Sequence, residues 1–209
     1  MRQSAVTMMM AVLVVLGTAA GASAQTEPIE REGFVAGGGG GVGWMDFNCD
    51  GCLAEGREVS GVADARLGYA INEQLVLGGQ FAFWGKTSPE AYFAGDFKSR
   101  ISDVLATATF YPMPESGFFV RGGAGLTIVH GTIVRSANET HLDTRTGWGL
   151  TGGAGFDIPV SKHVAITPAV NMWYGHVGDL RIGTTPYATN VSHNTIDVTL
   201  GLTFFSGTK

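Results

Sequence analysis

The chain has little cysteine, little proline and few positive charges for its 209 residues. Two cysteines are too few for a disulfide-rich secreted scaffold, and seven prolines beside 32 glycines do not make a low-complexity protein. A total of 13 Lys and Arg against 18 Asp and Glu gives a net charge of −5 with no basic patch, which argues against a nucleic-acid partner. After residue 24, no apolar run approaches the roughly 20 residues of a membrane-spanning helix.

Residues 1–24 have the pattern of a secretory signal peptide. Arg2 supplies a positive charge, residues 5–16 form a short apolar run, and Ala22-Ser23-Ala24 is an A-x-A cleavage site. The alternative is an uncleaved N-terminal anchor, although the run is too short and wrongly flanked for a stable membrane helix. We therefore predict a removed signal peptide, a short periplasmic segment over 25–32 and one domain over 33–209.

The rest of the chain alternates between apolar and small or polar residues with a period of two, which indicates β-strands. In 194–205, for example, one face has Ile, Val, Leu, Leu and Phe, while the other has Thr, Asp, Thr, Gly and Thr. Eight segments of about ten residues or more show this pattern: 34–46, 61–71, 75–86, 101–112, 117–133, 147–158, 164–176 and 194–205.

The connections between these segments alternate in length. Three are short, at 72–74, 113–116 and 159–163, and four are long, at 47–60, 87–100, 134–146 and 177–193. Outer-membrane barrels have short periplasmic turns and long external loops. We therefore predict an all-β fold, an eight-stranded antiparallel up-and-down transmembrane β-barrel, with both termini at the short-turn end. A soluble lipocalin-like barrel, with its apolar face inward, is the alternative.

Charged residues within the segments favour a polar interior. Because an Arg that faces lipid near the midplane costs roughly 2–4 kcal/mol, these charges are expected to face the lumen and pair with one another. If 117–133 and 147–158 pair around a loop centred near Glu139, Arg121 falls opposite Asp157 as an ion pair; the alternative is two charges that face water at the barrel mouth. The predicted lumen charges are Asp64, Arg66, Arg121, Asp157 and Asp197.

The stretch GFVAGGGGGVGW, at 33–44, contains five consecutive glycines and matches G-x-G-x-x-G. A dinucleotide-binding loop needs a helix after the glycines, and no helix-forming run follows here. We interpret the glycines as making room for lumen side chains from other strands, or as permitting bends while the sheet closes. Since glycine weakens strands, we expect irregular pairing at this point.

Taken together, the chain resembles the small eight-stranded outer-membrane β-barrel proteins, the OmpA/OmpX-like group of the outer-membrane β-barrel domain family. The resemblance rests on the Ala22-Ser23-Ala24 site, the repeated aromatic and glycine strands and the last strand, 195–205. It departs from the family at the C-terminus, because 206–209 follow the final aromatic residue, Phe205. The resemblance implies a cofactor-free monomer in a Gram-negative outer membrane, with outer-membrane lipids, periplasmic chaperones and the barrel-insertion machinery as partners.

The first long connection contains both cysteines, Cys49 and Cys52, which an exported protein is expected to join in a local disulfide. Free or intermolecular thiols are the alternative. Asp46, Asn48 and Asp50 also form the opening half of a calcium loop, but the carboxylate expected at its twelfth position is missing. A polar turn is the plainer interpretation.

For catalysis, the formal candidate set is Ser192, His193 and Asp179 near the external rim. Adjacent residues of a strand point to opposite faces, so Ser192 and His193 are poorly placed for a nucleophile and its base. We therefore expect a structural or surface-interaction protein that acts through four external loops. A narrow pore for small solutes or ions is the alternative, and a lipid hydrolase or acyltransferase at the barrel rim is a weaker one.

Overall fold

The computed structural model describes residues 31–50, 57–90, 95–135, 138–141, 145–182 and 185–207. The predicted signal peptide and most of the predicted periplasmic segment lie outside these residues.

The described residues form one antiparallel sheet that closes on itself. Its strands are β1 (Gly33–Asp50), β2 (Glu58–Asn72), β3 (Leu75–Glu90), β4 (Gly95–Phe110), β5 (Phe118–Arg135), β6 (Asn138–His141), β7 (Arg145–Phe156), β8 (Ile158–Ser161), β9 (Val164–Ile182) and β10 (Thr185–Phe205). Strands β6, β7 and β8 lie end to end between β5 and β9, and together they count as one of the eight strands of the barrel. The pairing of β10 with β1 closes the barrel, so the predicted eight-stranded up-and-down barrel is confirmed.

Helical structure is nearly absent from the described residues. One short 3₁₀ helix, Pro114–Ser116, lies in the connection between β4 and β5. Within the same part of the chain, no helix is long and apolar enough to cross a membrane.

The two-residue period of the sequence sorts side chains between the lumen and the outside. Large apolar side chains on the outward face are exposed, among them Leu67, Leu150 and Leu200. They form a continuous apolar belt, as lipid requires. Aromatic residues border the belt at the short-turn end, namely Phe34, Tyr69, Phe110, Phe156 and Phe204, and others border it at the opposite end, namely Trp44, Trp148 and Tyr174.

The four predicted long loops are mostly strand, which corrects the sequence interpretation. Strands β9 and β10, for example, continue to Ile182 and Thr185, so that two residues separate them instead of the predicted 177–193. Extending an existing antiparallel ladder satisfies backbone N–H and C=O groups without closing a new loop. We call this end of the barrel the hairpin end.

The glycine run is also more regular than expected. Strand β1 pairs with β10 without a shift from Val35 to Asn48, and with β2 without a shift from Gly33 to Met45. The prediction of irregular pairing was therefore wrong, because ladders on both sides hold the glycine backbone in register.

Candidate functional site

The lumen holds most of the buried polar side chains of the barrel, and we treat it as the candidate site. All five charges singled out from the sequence lie on inward-facing positions of their strands or at the end of one. They belong to β2, β5, the junction of β7 and β8, and β10. Four of these side chains belong to three groups along the barrel, and Arg121 makes contacts of its own.

The first group is an ion pair on β2. Arg66 Nε lies 3.0 Å from Asp64 Oδ2, and these side chains are 13% and 6% exposed. The amide of Gln80, on β3, donates a long hydrogen bond of 3.4 Å to the same carboxylate. Gly37 makes room for the pair, since a Cβ there would lie 3.5 Å from Arg66 Nε and 3.2 Å from Thr203 Oγ1. This agrees with the interpretation that glycines of β1 accommodate side chains from other strands.

Arg121 does not pair with Asp157, which corrects the predicted ion pair. The register places Arg121 opposite Gly153, four residues from Asp157. Its Nε instead donates to Thr109 Oγ1 at 2.9 Å, and its guanidinium lies 4.8 Å from the ring centroid of Phe119. The alternation correctly predicted that Arg121 faces the lumen. The predicted centre of the loop between the two strands was slightly wrong, and the predicted cross-strand partner of Arg121 was therefore wrong as well.

The second group surrounds Asp197, which is 1% exposed. Asn171 donates to Asp197 Oδ1 at 2.8 Å, and Trp173 Nε1 donates to Oδ2. Asn171 also donates to Thr199 at 3.3 Å. Neutral donors from β9 thus satisfy this carboxylate, which a buried carboxylate needs in the absence of a cation.

The third group closes the lumen at the short-turn end. Tyr111 and Thr167 donate to the two oxygens of Asp157, each at 2.7 Å. Arg31, from the segment before β1, stacks over the Tyr111 ring at 4.1 Å and donates to the carbonyl oxygen of Pro114 at 2.6 Å. Sequence reasoning missed Arg31 because it precedes the first alternating segment.

The candidate catalytic set is not assembled. Ser192 faces outward, whereas His193 is buried in the lumen with Nε2 2.9 Å from Thr127 Oγ1 and 3.9 Å from Asp103 Oδ1. Asp179 accepts a hydrogen bond from the backbone N–H of Asn190 at 3.3 Å. Since the nucleophile and the base point to opposite sides of the sheet, they cannot act on one substrate.

The lumen becomes apolar towards the hairpin end. An inward cluster fills it there, formed by Met45, Trp84, Ile101, Val129, Val177, Ala188 and Val191. Two cavities in the lumen of the described residues have volumes of about 20 and 30 Å³, enough for single water molecules. Side chains therefore fill the interior, as expected for eight strands.

The candidate cation site lies on the outer face of β1. Asp46, Asn48 and Asp50 alternate along that face, and Asp46 Oδ2 already accepts from Arg57 Nε at 2.7 Å. Among the described residues, no group of three or more His, Cys, Asp or Glu side chains could hold a metal ion.

The predicted disulfide falls partly outside the described residues. Cys49 is disulfide-bonded, whereas Cys52 lies in the undescribed segment 51–56. The pairing of the two cysteines therefore stays a prediction.

Comparison with known proteins shows the fold and the family. A search of the curated proteins found no match. Among solved structures, Neisserial surface protein A is 16% identical with a TM-score of 0.56, over 83% of this chain and 97% of that one. Ail, the attachment invasion locus protein of Yersinia pestis, is 16% identical with a TM-score of 0.51, over 83% of this chain and 99% of that one. The family model of the outer membrane protein beta-barrel domain matches residues 10–204, and the chain therefore belongs to the outer-membrane β-barrel family.

Proposed function

We propose that this barrel acts as a structural or surface-interaction protein of the outer membrane, which holds four hairpins outside the bilayer on a closed barrel. The observation that carries the proposal is the filled lumen. Bonded polar groups occupy it in the middle, Arg31 and Tyr111 cover it at the short-turn end, and an apolar cluster fills it at the hairpin end.

The filled lumen argues against the alternative, a narrow pore. A conducting path needs charges that line a water-filled passage, yet Asp64 and Arg66 pair on one strand and Asp197 is satisfied by neutral donors. An ion would also have to pass the apolar layer around Met45, Trp84 and Ile101, where dewetting opposes it.

The length of the strands supports a role outside the bilayer. A transmembrane strand needs about 9–11 residues, whereas β9 has 19 and β10 has 21. Because β9 begins and β10 ends at the short-turn end, the residues beyond the length needed to span the membrane project from the hairpin end. The β3–β4 and β9–β10 hairpins stay paired through backbone hydrogen bonds as far as Glu90 and Thr185, which gives an ordered surface for contact with a partner.

Planar-bilayer recording of the purified barrel tests the closed lumen. We expect no discrete openings with the wild-type protein. Regular single-channel steps that survive purification and vanish when the protein is unfolded would favour the pore and contradict the proposal.

Cysteine labelling in whole cells tests which end is displayed. In a Cys49→Ser/Cys52→Ser background, Asn48→Cys at the hairpin end should react with a membrane-impermeant maleimide in intact cells. Ser116→Cys, exposed in the turn before β5, should react only after the outer membrane is permeabilised. The reverse pattern would mean that the hairpins face the periplasm, and surface interaction would then be excluded.

A further inference from the structure

The outer face of β4 carries two cations, Lys98 and Arg100, at a height where other strands carry aromatic residues. Trp44 lies ten residues beyond Phe34 on β1, and Arg100 lies ten residues from Phe110 on β4. Ten residues span about 33 Å along a strand, or about 25 Å of height at the tilt of outer-membrane barrels, which is the height of the apolar belt. Arg100 therefore stands at the upper edge of the belt.

Lys98, Arg100 and His130 lie on this outward face, and we call them the Arg100 patch. Arg100 and His130 are direct cross-strand partners and are both exposed. Lys98, two residues along β4, lies on the same face between Thr87 and Thr132. Among the side chains that the structure describes on β3, β4 and β5, at 75–87, 98–110 and 118–132, no Asp or Glu points outward, and the next position of this face of β4 beyond Lys98 is Asp96.

The surface below the patch is suited to acyl chains. Phe83, Val104 and Leu126 point outward there and are 37%, 50% and 53% exposed. Arg100 stands beside Gly85, and the Phe83 ring lies over this glycine, where a Cβ would be 3.0 Å from the ring and 3.8 Å from Arg100 Cγ. A ligand with a negative head and apolar tails would match the charge above and the apolar surface below.

We propose that the Arg100 patch binds the phosphate of an anionic lipid headgroup in the outer leaflet. The guanidinium of Arg100 offers planar paired donors that match phosphate oxygens. Lys98 and His130 already make interactions within the protein, so Arg100 is the principal ligand, Lys98 adds positive potential, and His130 adds a polar ring beside it. The proposal rests on the membrane position of the barrel and is independent of what the hairpins contact.

Lipid titration of the folded barrel tests the proposal. The purified full-length barrel, in phosphatidylcholine nanodiscs, is titrated with diphosphorylated lipid A, and bound lipid is counted by native mass spectrometry. Each cation near an anionic lipid surface contributes about 1 kcal/mol, so Arg100→Gln should weaken binding about fivefold. Arg100→Lys, which keeps the charge but loses the planar pair of donors, should bind less tightly than the wild type and more tightly than Arg100→Gln.

Arg57→Gln is the matched control, because Arg57 is an exposed arginine immediately before β2 that is paired with Asp46, outside the patch. It should leave lipid A binding unchanged. Heat-dependent mobility in SDS shows whether each variant is folded, and Arg100→Lys keeps the comparison usable if Arg100→Gln does not fold. Equal affinities of wild type and Arg100→Gln, equal binding of dephosphorylated lipid, or equal binding of free inorganic phosphate would each overturn the proposal.

Discussion

Gly152 and Gly153 are adjacent in β7 but face opposite sides of the sheet. Substituting each of them distinguishes the packing role of glycine in this barrel from its effect on strand propensity. Gly153 faces the lumen, and a Cβ there would lie 2.7 Å from Asn171 Oδ1 and 2.8 Å from the backbone oxygen of Val170. Gly152 faces outward, and a Cβ there would meet nothing within 4 Å. Both glycines lack positive φ, so alanine fits the backbone at either position.

The expected effects of Gly153→Ala and Gly152→Ala have opposite signs. At Gly153, the Val170 backbone must retreat by about 0.6 Å to reach ordinary contact at 3.4 Å, and such overpacking costs about 1–3 kcal/mol. The amide of Asn171 also moves from its 2.8 Å bond to Asp197, and a hydrogen bond to a charged group contributes about 1.5–3 kcal/mol. We expect Gly153→Ala to destabilise by about 2–4 kcal/mol and Gly152→Ala to stabilise by about 0.5–1 kcal/mol.

Urea titration of the two variants in lipid vesicles, followed by tryptophan fluorescence, measures this difference in the free energy of unfolding. Reversibility must be shown from both directions, because barrels in lipid unfold slowly. Equal effects at the two positions would refute the reasoning, since a propensity effect does not depend on which side of the sheet the Cβ enters.

Three further predictions concern the lumen, the first hairpin and the whole barrel. Asp197→Ala leaves Trp173 and Asn171 without their buried acceptor and should lower the free energy of unfolding in urea by about 2–5 kcal/mol; an unchanged midpoint would mean that water replaces the carboxylate. Cys49→Ser/Cys52→Ser should still insert, because cross-linking so short a loop removes little chain entropy, and degradation of that variant would contradict this. The wild-type protein should migrate differently in SDS with and without boiling, and a soluble periplasmic fraction without a shifted band would exclude the barrel in the membrane.

The strand number and the facing of the side chains could be predicted because they depend on a local period. Alternation is visible within a few residues, as in β10, where Asp197 and Thr199 point inward and Val198 and Leu200 point outward. The cost of a charge in lipid then decides which face is the lumen. For this reason every predicted lumen charge lies on the correct side.

The position of each residue along the barrel axis, relative to the neighbouring strands, could not be predicted in the same way. Pairing partners depend on the register between strands, and an undetermined loop allows that register to slide in steps of two without changing any face. Arg121 faces the lumen as predicted, but its cross-strand partner is Gly153 and not Asp157. Arg31, which covers one end of the lumen, belongs to no strand and carries no periodic signal.

The sequence predicted the polar part of the inner face but not the apolar cluster at the hairpin end, because an eight-stranded lumen is a packed core. Where no water enters, an apolar side chain is as acceptable inside as a bonded polar one, and size decides what fits. Inward glycines therefore lie against bulky neighbours: a Cβ at Gly155 would lie 2.7 Å from the Phe119 ring, and one at Gly175 would lie 2.7 Å from Thr127 Oγ1. Inward glycines such as Gly155 and Gly175 thus mark where other strands send large side chains, whereas Gly39 and Gly41 lie against the backbone of β10. Where this complementarity of size occurs, it constrains the register that alternation leaves open.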